Sequence, residues 1–537
     1  MYSTNLAFIG EWCRIQPAAL HRLRLPHDSL VLQLLSNMAS ICVKTMHSAY
    51  ESGEKGSPSN PLKFKDQDYE KLKNALLKKG QLFQDKEFPA NLDSLGNLEE
   101  ITEEQLEDVQ WLRPRDLNPD AAFIVEGLSR FDFKQGNVGN CWFLSSIGSL
   151  TLCKSLLVEV VPQDQNFKDG YAGIFHFRFW RFGKWVDVVI DDLLPTHDRI
   201  PVSVSSRSGA EFWAPLLEKA YAKLCGSYGD MIAGLNPEAF KDFSGGVNMN
   251  YKLSKNQPDL FDVMKRAFQC NAMLGCGTFG GEKGKTFFEE FGLVDGHAFA
   301  VTGVEQVESR GRKVKLVRIW NPWGEREWIG DWSDKSALWS TVSSEVRANC
   351  LEVKDNGEFW MKMEDFCVYY EEMDICCKSP NFVDGDLESQ WICSQTEDRW
   401  EEGISAGGSD SETSEFWTNP QYRLRLKEKK GGINVLLSLL QKPDEEHRSK
   451  VQYHPMGFFI YKVPPEAPEG QFPSSLFKSA SPVSVCRFAE TRELIESHSL
   501  QAGEYLIIPC TIESNMTASF IITTYSKEPV KMVRGHQ

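Results

Sequence analysis

Just after Phe64, apolar residues recur at helical spacing. Tyr69, Leu72, Leu76 and Leu77 predict an amphipathic helix leading towards Phe83 and Phe88. A denser apolar run over 145–160 predicts a buried helix that continues from Cys141. The period then shortens: residues 185–192, Trp-Val-Asp-Val-Val-Ile-Asp-Asp, alternate and are β-branched, which predicts a strand. Residues 246–378 carry further alternating strands, among them Phe299-Ala300-Val301 and a segment ending at Arg318-Ile319-Trp320. From about 379 onward short strands are separated by Gly and Pro turns, as at 432–439 and 505–509, the signature of a β-sandwich. The Gly/Ser/Pro-rich stretch 52–60 resembles a linker between this body and the first segment of the chain.

The chemistry concentrates in Gln135-Gly136-Asn137-Val138-Gly139-Asn140-Cys141-Trp142-Phe143, where a cysteine stands at the start of helix-like sequence. A helix N-terminus presents unpaired N–H groups that favour a thiolate, and Gln135 could donate an amide N–H to a developing oxyanion. A lone cysteine usually just packs. Two downstream features change that balance. His297, in Gly296-His297-Ala298, begins a predicted buried strand that holds an imidazole rigidly. Asn321, in Asn321-Pro322-Trp323-Gly324, ends another, and its carbonyl could accept from His297 Nδ1 and fix the tautomer. The order Cys141, His297, Asn321 is that of a papain-like triad, which spacing alone does not prove.

With these residues the chain resembles the calpains, intracellular calcium-dependent cysteine proteases. The resemblance runs from about Phe64 to about Lys527. It includes Tyr171-Ala172-Gly173-Ile174-Phe175, Glu211-Phe212-Trp213, Leu217-Glu218-Lys219-Ala220-Tyr221-Ala222-Lys223, Asp242-Phe243-Ser244-Gly245-Gly246, Gly357-Glu358-Phe359-Trp360 and Phe416-Trp417-Thr418-Asn419-Pro420. It implies an α+β fold, a two-part papain-like cysteine protease core followed by a C2-like antiparallel β-sandwich. The implied divisions are an N-terminal extension over 1–60, expected to be poorly ordered, a mostly helical half over 61–245 with the cysteine, a β-rich half over 246–378 with His297 and Asn321, and the sandwich over 379–537. Gly245-Gly246 would serve as the hinge. In this frame Cys141 attacks, His297 is base and then acid, Asn321 orients it, and Gln135 completes the oxyanion hole. Trp323 is a wedge between the halves when they are apart and a shield when they align. One departure stands beside the nucleophile, where most family members have Asp and this chain has Asn140.

The resemblance also implies a Ca2+ site in each half. The first falls on the carbonyls of Val125 and Gly127 with the carboxylates of Asp132 and Glu211. The second falls on Glu327, Asp334, the carbonyl of Lys354, Asn356 and Glu358. Asn356 stands where the family usually has Asp, so the second site is expected to bind calcium more weakly. No D-x-[DN]-x-[DN]-G loop occurs in the sequence, so the chain resembles a form lacking the penta-EF-hand domain and is expected to act as a monomer. The acidic sandwich loop of many relatives is reduced to Lys427-Glu428-Lys429-Lys430, which leaves membrane association open.

Length and composition fit this reading: 537 residues are too many for one core, with 41% hydrophobic and 25% charged residues, ordinary for globular chains. A net charge of −16 argues against a nucleic-acid binder. The 14 cysteines show no metal-ligand spacing and read as reduced thiols. The most apolar N-terminal segment, 30–43, is broken by Gln33, Ser36 and Asn37 and falls short of a membrane span, and no secretory signal is seen, so a cytoplasmic location with protein substrates is expected. Three other readings compete. A transglutaminase-like acyltransferase generally completes its triad with Asp rather than Asn. A catalytically weak calpain-like regulatory or binding protein would keep the fold without the chemistry. A chain whose motif residues merely pack would make every match a coincidence.

Overall fold

The computed structural model describes residues 53–535 apart from 99–104, 107, 137, 256, 279–283, 386–390, 428–431, 466, 468–469 and 531. The expected N-terminal extension up to residue 52 and most of the reduced sandwich loop lie outside the described residues. Residues 53–60 are not a free linker: Ser57 is buried, and the Gly56 carbonyl accepts from Trp185 N–H at 2.8 Å.

The first half combines helices with a small sheet. Helix α1 (Tyr69–Lys79) follows the predicted period, is capped by the Asp68 carboxylate and ends at Gly80 in the left-handed region. Helix α2 (Cys141–Leu150) is buried along its whole length except at Cys141. It does not run on to residue 160. The Thr151 hydroxyl bonds back to the Gly148 carbonyl at 2.7 Å, Cys153 leaves the helical region, and a separate α3 (Lys154–Val160) begins. Strands β1 (Ile174–Arg181) and β2 (Lys184–Asp191) form an antiparallel hairpin where alternation predicted a strand. Helices α4 (Trp213–Cys225) and α5 (Asn236–Ser244) complete this half, and α5 stops where Gly245 takes φ 64°.

The second half is one antiparallel sheet of six strands: β3 (Val247–Lys252), β4 (Met273–Thr278), β5 (His297–Ser309), β6 (Arg312–Trp320), β7 (Glu358–Lys362) and β8 (Glu372–Cys377), in the order β7-β6-β5-β4-β8-β3. The β5/β6 hairpin puts the first residue of one strand beside the end of the next, so His297 and Asn321 share one end of the sheet. α2 packs between the halves. Gly148 on its inner face lies so close to the Trp320 ring that a Cβ there would overlap it, and Ser149 Oγ accepts from Leu274 N–H at 2.9 Å.

The C-terminal part is the expected sandwich of two antiparallel sheets. β9 (Ile392–Trp400), β11 (Val435–Lys442), β13 (Glu493–His498) and β15 (Ala518–Ser526) form one, and β10 (Tyr422–Leu426), β12 (Pro455–Lys462) and β14 (Gly503–Thr511) form the centre of the other. It docks on the first half through buried ion pairs. Asp242, with no exposed surface, accepts from Arg492 at 2.5 Å and Arg181 at 2.9 Å, and Lys241 meets Glu493 at 2.6 Å. The twelve described cysteines are all free. Among the described residues no helix is long and apolar enough to cross a membrane.

Candidate active site

α2 begins at Cys141 because Asn140 leaves the helical region while its carbonyl already accepts from Phe143 and Leu144 N–H. The Cys141 sulfur faces the Ala298 N–H at the start of β5, which brings the nucleophile of one half against the histidine strand of the other. Burial pushes the thiol above its ordinary range, opposed by the Ala298, Trp142 and Cys141 main-chain N–H groups.

His297 is buried, and burial pushes its imidazole down to about 4 against the opposing hydrogen bond to Asn321. Burial thus disfavours the charged form of both the thiol and the imidazole. His297 Nε2 lies 2.8 Å from Asn321 Oδ1. The Asn321 amide cannot turn over without losing partners, because its Nδ2 donates to the Glu325 and Arg326 carbonyls at 2.8 and 3.2 Å. Oδ1 also accepts from Trp323 N–H at 3.0 Å. Nε2 must then carry the proton and Nδ1 the lone pair. This corrects the sequence-based expectation, which gave Nδ1 to Asn321. Trp323 lies over the imidazole at 4.8 Å between ring centroids, tilted by 56°, and so covers the His297–Asn321 bond.

Gln135 approaches from the opposite half. Its N–H donates to the Pro322 carbonyl at 3.3 Å, joining the nucleophile loop to the Asn-Pro-Trp-Gly turn. One hydrogen of its side-chain amide goes to the Val138 carbonyl at 3.0 Å, and among the described residues the other N–H is left available and the buried Oε1 has no partner.

The acidic residues singled out in the sequence fall into two loops beside this centre. In the first, Glu211 Oε1 accepts from Val125 N–H at 2.7 Å, and Asp132 Oδ2 accepts from Ser129 N–H at 2.6 Å and Trp213 Nε1 at 3.1 Å. Burial, together with repulsion from Asp132, pushes Glu211 up to about 7. In the second, Glu327 Oε1 accepts from Asn356 and Gly357 N–H at 3.1 and 2.9 Å, and Asp334 Oδ2 lies 3.4 Å from Lys354 N. Burial and the nearby Glu327 push Asp334 up to about 7. The Gly357 carbonyl accepts from Asn321 N–H at 2.8 Å, so this loop is attached directly to the triad turn. Glu358 is placed differently from the expected ligand set. Its carboxylate accepts from Arg130 Nε and Nη2 at 3.0 and 2.9 Å and from Thr302 Oγ1 at 2.6 Å. The Asn356 amide oxygen is likewise engaged, by Glu358 N–H at 2.9 Å. Among the described residues no three His, Cys, Asp or Glu side chains converge as a metal-holding group.

Residues 83–377 match the family described as calpain family cysteine protease, and residues 396–525 match calpain large subunit, domain III. The calpain-2 catalytic subunit of Mus musculus is 39% identical over 508 residues, covering 91% of this chain and 72% of that protein. That of Gallus gallus is 40% identical over 511 residues, covering 92% and 72%. The calpain-1 catalytic subunit of Bos taurus is 39% identical over 495 residues, covering 88% and 69%. This chain belongs to the calpain family of cysteine proteases. Among solved structures, the clostridial cysteine protease Cwp84 overlaps it with a TM-score of 0.20 at 12% identity, covering 76% of this chain and 84% of that one, too little to carry an argument.

As a calpain it acts on proteins as a cysteine peptidase. Two features of its centre escape a reading of the sequence. The Arg130–Glu358 pair joins residues 228 apart, with no local signal to connect them. Glu218 was legible only as part of a family stretch, yet it is buried next to the nucleophile loop and bonded to Asn140.

Proposed function

We propose that this calpain is a calcium-dependent cysteine endopeptidase that carries out limited proteolysis of cytoplasmic proteins as a monomer, through Cys141, His297 and Asn321. The observation that carries the reading is the His297 Nε2–Asn321 Oδ1 bond of 2.8 Å, beside a cysteine that opens a buried helix against Ala298. With Nε2 held, Nδ1 is the ring nitrogen left to take the thiol proton. The sulfur then bonds to the scissile carbonyl carbon, and the oxyanion is received by the Cys141 N–H and the Gln135 side-chain amide. His297 returns the proton to the departing amine as the C–N bond breaks. A water then gives its proton to His297 and attacks the thioester, and the thiol is restored as the C–S bond breaks. Asn321 keeps the ring oriented throughout, and Trp323 excludes water from the bond between them.

The acidic loops fit a hard cation in donor chemistry. Asp132, Glu211, Glu327 and Asp334 form no ion pair with a described residue. Burial raises all four, and repulsion adds to it at Glu211 from Asp132, at Glu327 from Asp355 and at Asp334 from Glu327. Asp132 and Glu211 with the carbonyls of Val125 and Gly127 would hold one Ca2+. Glu327 and Asp334 with the carbonyl of Lys354 and the Asn356 side chain would hold the other, while Glu358 contributes through its pair with Arg130. Calcium bound there supplies positive charge that relieves this repulsion. Each loop is built into one half of the triad, so relief at either favours the docked arrangement only as far as the cation binds it more tightly.

The alternative of a catalytically weak regulatory protein draws on the burial that disfavours both the thiolate and the imidazolium. An epoxide thiol trap separates the two. Calcium-dependent labelling that is lost in Cys141→Ser supports the protease, and an inert Cys141 would sink it.

A further inference from the structure

Asn140 is the residue before the nucleophile, yet its side chain turns away from Cys141 into the interior. It is fully buried and donates from Nδ2 to Glu218 Oε1 at 2.5 Å, with Ser203 Oγ at 3.4 Å. Glu218, on α4, is also buried. Its Oε1 accepts from Ser203 Oγ as well, at 2.5 Å, and its Oε2 accepts from Val204 N–H at 3.1 Å. It forms no ion pair with a described residue, and the titratable group facing it from the neighbouring segment is the Tyr228 phenol. A buried carboxyl without a countercharge opposes folding, so packing alone is a poor reason for one here.

The three donors come from the two segments that bracket the nucleophile loop. Asn140 is the loop's last residue before the helix. The Val202–Ser203 backbone supports its other end, where Gly136, next to Gln135, lies so close to the Ser203 and Val202 carbonyls that a Cβ would overlap both. One carboxyl thus fixes both ends of the loop that presents Gln135 and the Cys141 N–H. We propose that Glu218 is a positioning residue for the oxyanion hole and nucleophile, acting through Asn140 and Ser203–Val204. The inference rests on the protease reading above. It also gives Asn140 a role in this chain: its amide adds a third donor to this carboxyl, where an aspartate would set a second acid against it.

The test is an exchange of acid and amide in the full chain, with peptide hydrolysis followed from pH 6 to 9.5. In Asn140→Asp two carboxyls face each other at hydrogen-bond distance and share one proton, because like charges so close do not both ionise. As pH rises through the upper step of the pair, the second charge forces them apart. kcat should then fall at least about tenfold by pH 9.5 relative to wild type, with KM changed by less than about threefold. Asn140→Asp with Glu218→Gln restores an acceptor–donor pair: the introduced amide nitrogen takes the place of Glu218 Oε1, and the amide oxygen stays on Val204. This double variant should recover wild-type kcat within about threefold and lose the alkaline limb. A wild-type profile in Asn140→Asp, or a double variant as impaired as the single one, would overturn the proposal. If Asn140→Asp does not melt cooperatively, Glu218→Gln alone decides: a kcat at least about fivefold lower at unchanged KM supports positioning, and a wild-type kcat refutes it. Failure of the protease reading itself would appear separately, as wild-type protein no more active than Cys141→Ser.

Discussion

The Arg130–Glu358 pair gives the sharpest handle on how the halves are held together. Arg130 sits in the first half and Glu358 opens β7 in the second, and the guanidinium grips the carboxylate through two bonds of 3.0 and 2.9 Å with little of either side chain exposed. Burial opposes ionisation of Glu358, but Arg318 and Arg130 outweigh it and hold the carboxyl below its ordinary range. Removing one partner of a buried pair costs about 3–5 kcal/mol. In Arg130→Ala, Thr302 Oγ1 at 2.6 Å and Arg318 Nε at 3.7 Å still face the carboxylate, so about 2–3 kcal/mol is the fitting range. At about 1.4 kcal/mol per tenfold, that predicts a fall in kcat/KM of roughly 30- to 150-fold when the docked state is not in excess. The assay is hydrolysis of an unfolded protein by wild type, Arg130→Ala, Glu358→Gln and the double variant, with melting temperature as the control for folding. If the pair acts across the halves, the double variant should be little worse than either single one. Activity of Arg130→Ala within about twofold of wild type, or fully additive losses, would refute the reasoning.

Other outcomes follow from the same contacts. Asn321→Ala removes the acceptor that holds His297 Nε2 and should lower kcat about 10- to 150-fold, taking a bond to a developing imidazolium at about 1.5–3 kcal/mol, while a loss below threefold would show that the ring needs no such anchor. Trp323→Ala uncovers the His297–Asn321 bond and should change both activity and calcium dependence, and a variant unaltered in both would remove the shield. Calorimetric titration should find two calcium sites of unequal affinity, the weaker one lost on Asp334→Asn, and two equally tight sites would contradict the role given to Asn356. The folded His297 binds its proton at about 4, below the ordinary value of about 6.5, so the unfolded chain holds more protons between these limits. Stability relative to His297→Phe should therefore be greatest above pH 6.5 and decline as pH falls towards 4, and a difference flat with pH would show that the imidazole is not buried.

Sequence and structure agree where local pattern decides the outcome. The period of Tyr69, Leu72 and Leu76 became α1, and the alternation at 185–192 became β2, because each apolar face has a core to cover it. The Asn321 partnership was legible from two short motifs, since a β-hairpin returns the chain to where it started. Which ring nitrogen it holds was not, because that depends on the Glu325 and Arg326 carbonyls that lock the amide. The break after Leu150 was hidden as well, since Leu152 and Cys153 keep the stretch apolar while the chain leaves the helical region at Cys153. Glu358 was expected, from the family resemblance, as a ligand of the second calcium site, but Arg130, 228 residues away in the chain, holds its carboxylate in the fold. Long-range pairing of charges leaves no trace at either position.

The central claim is a calcium-dependent thiol protease whose nucleophile is Cys141. Its most direct test is hydrolysis of a loosely folded protein by the full chain, with calcium and with chelator, beside Cys141→Ser. Cleavage that appears with calcium, vanishes with chelator and is absent in Cys141→Ser is the predicted result. Cleavage that persists in Cys141→Ser, or is equal with and without calcium, would contradict it.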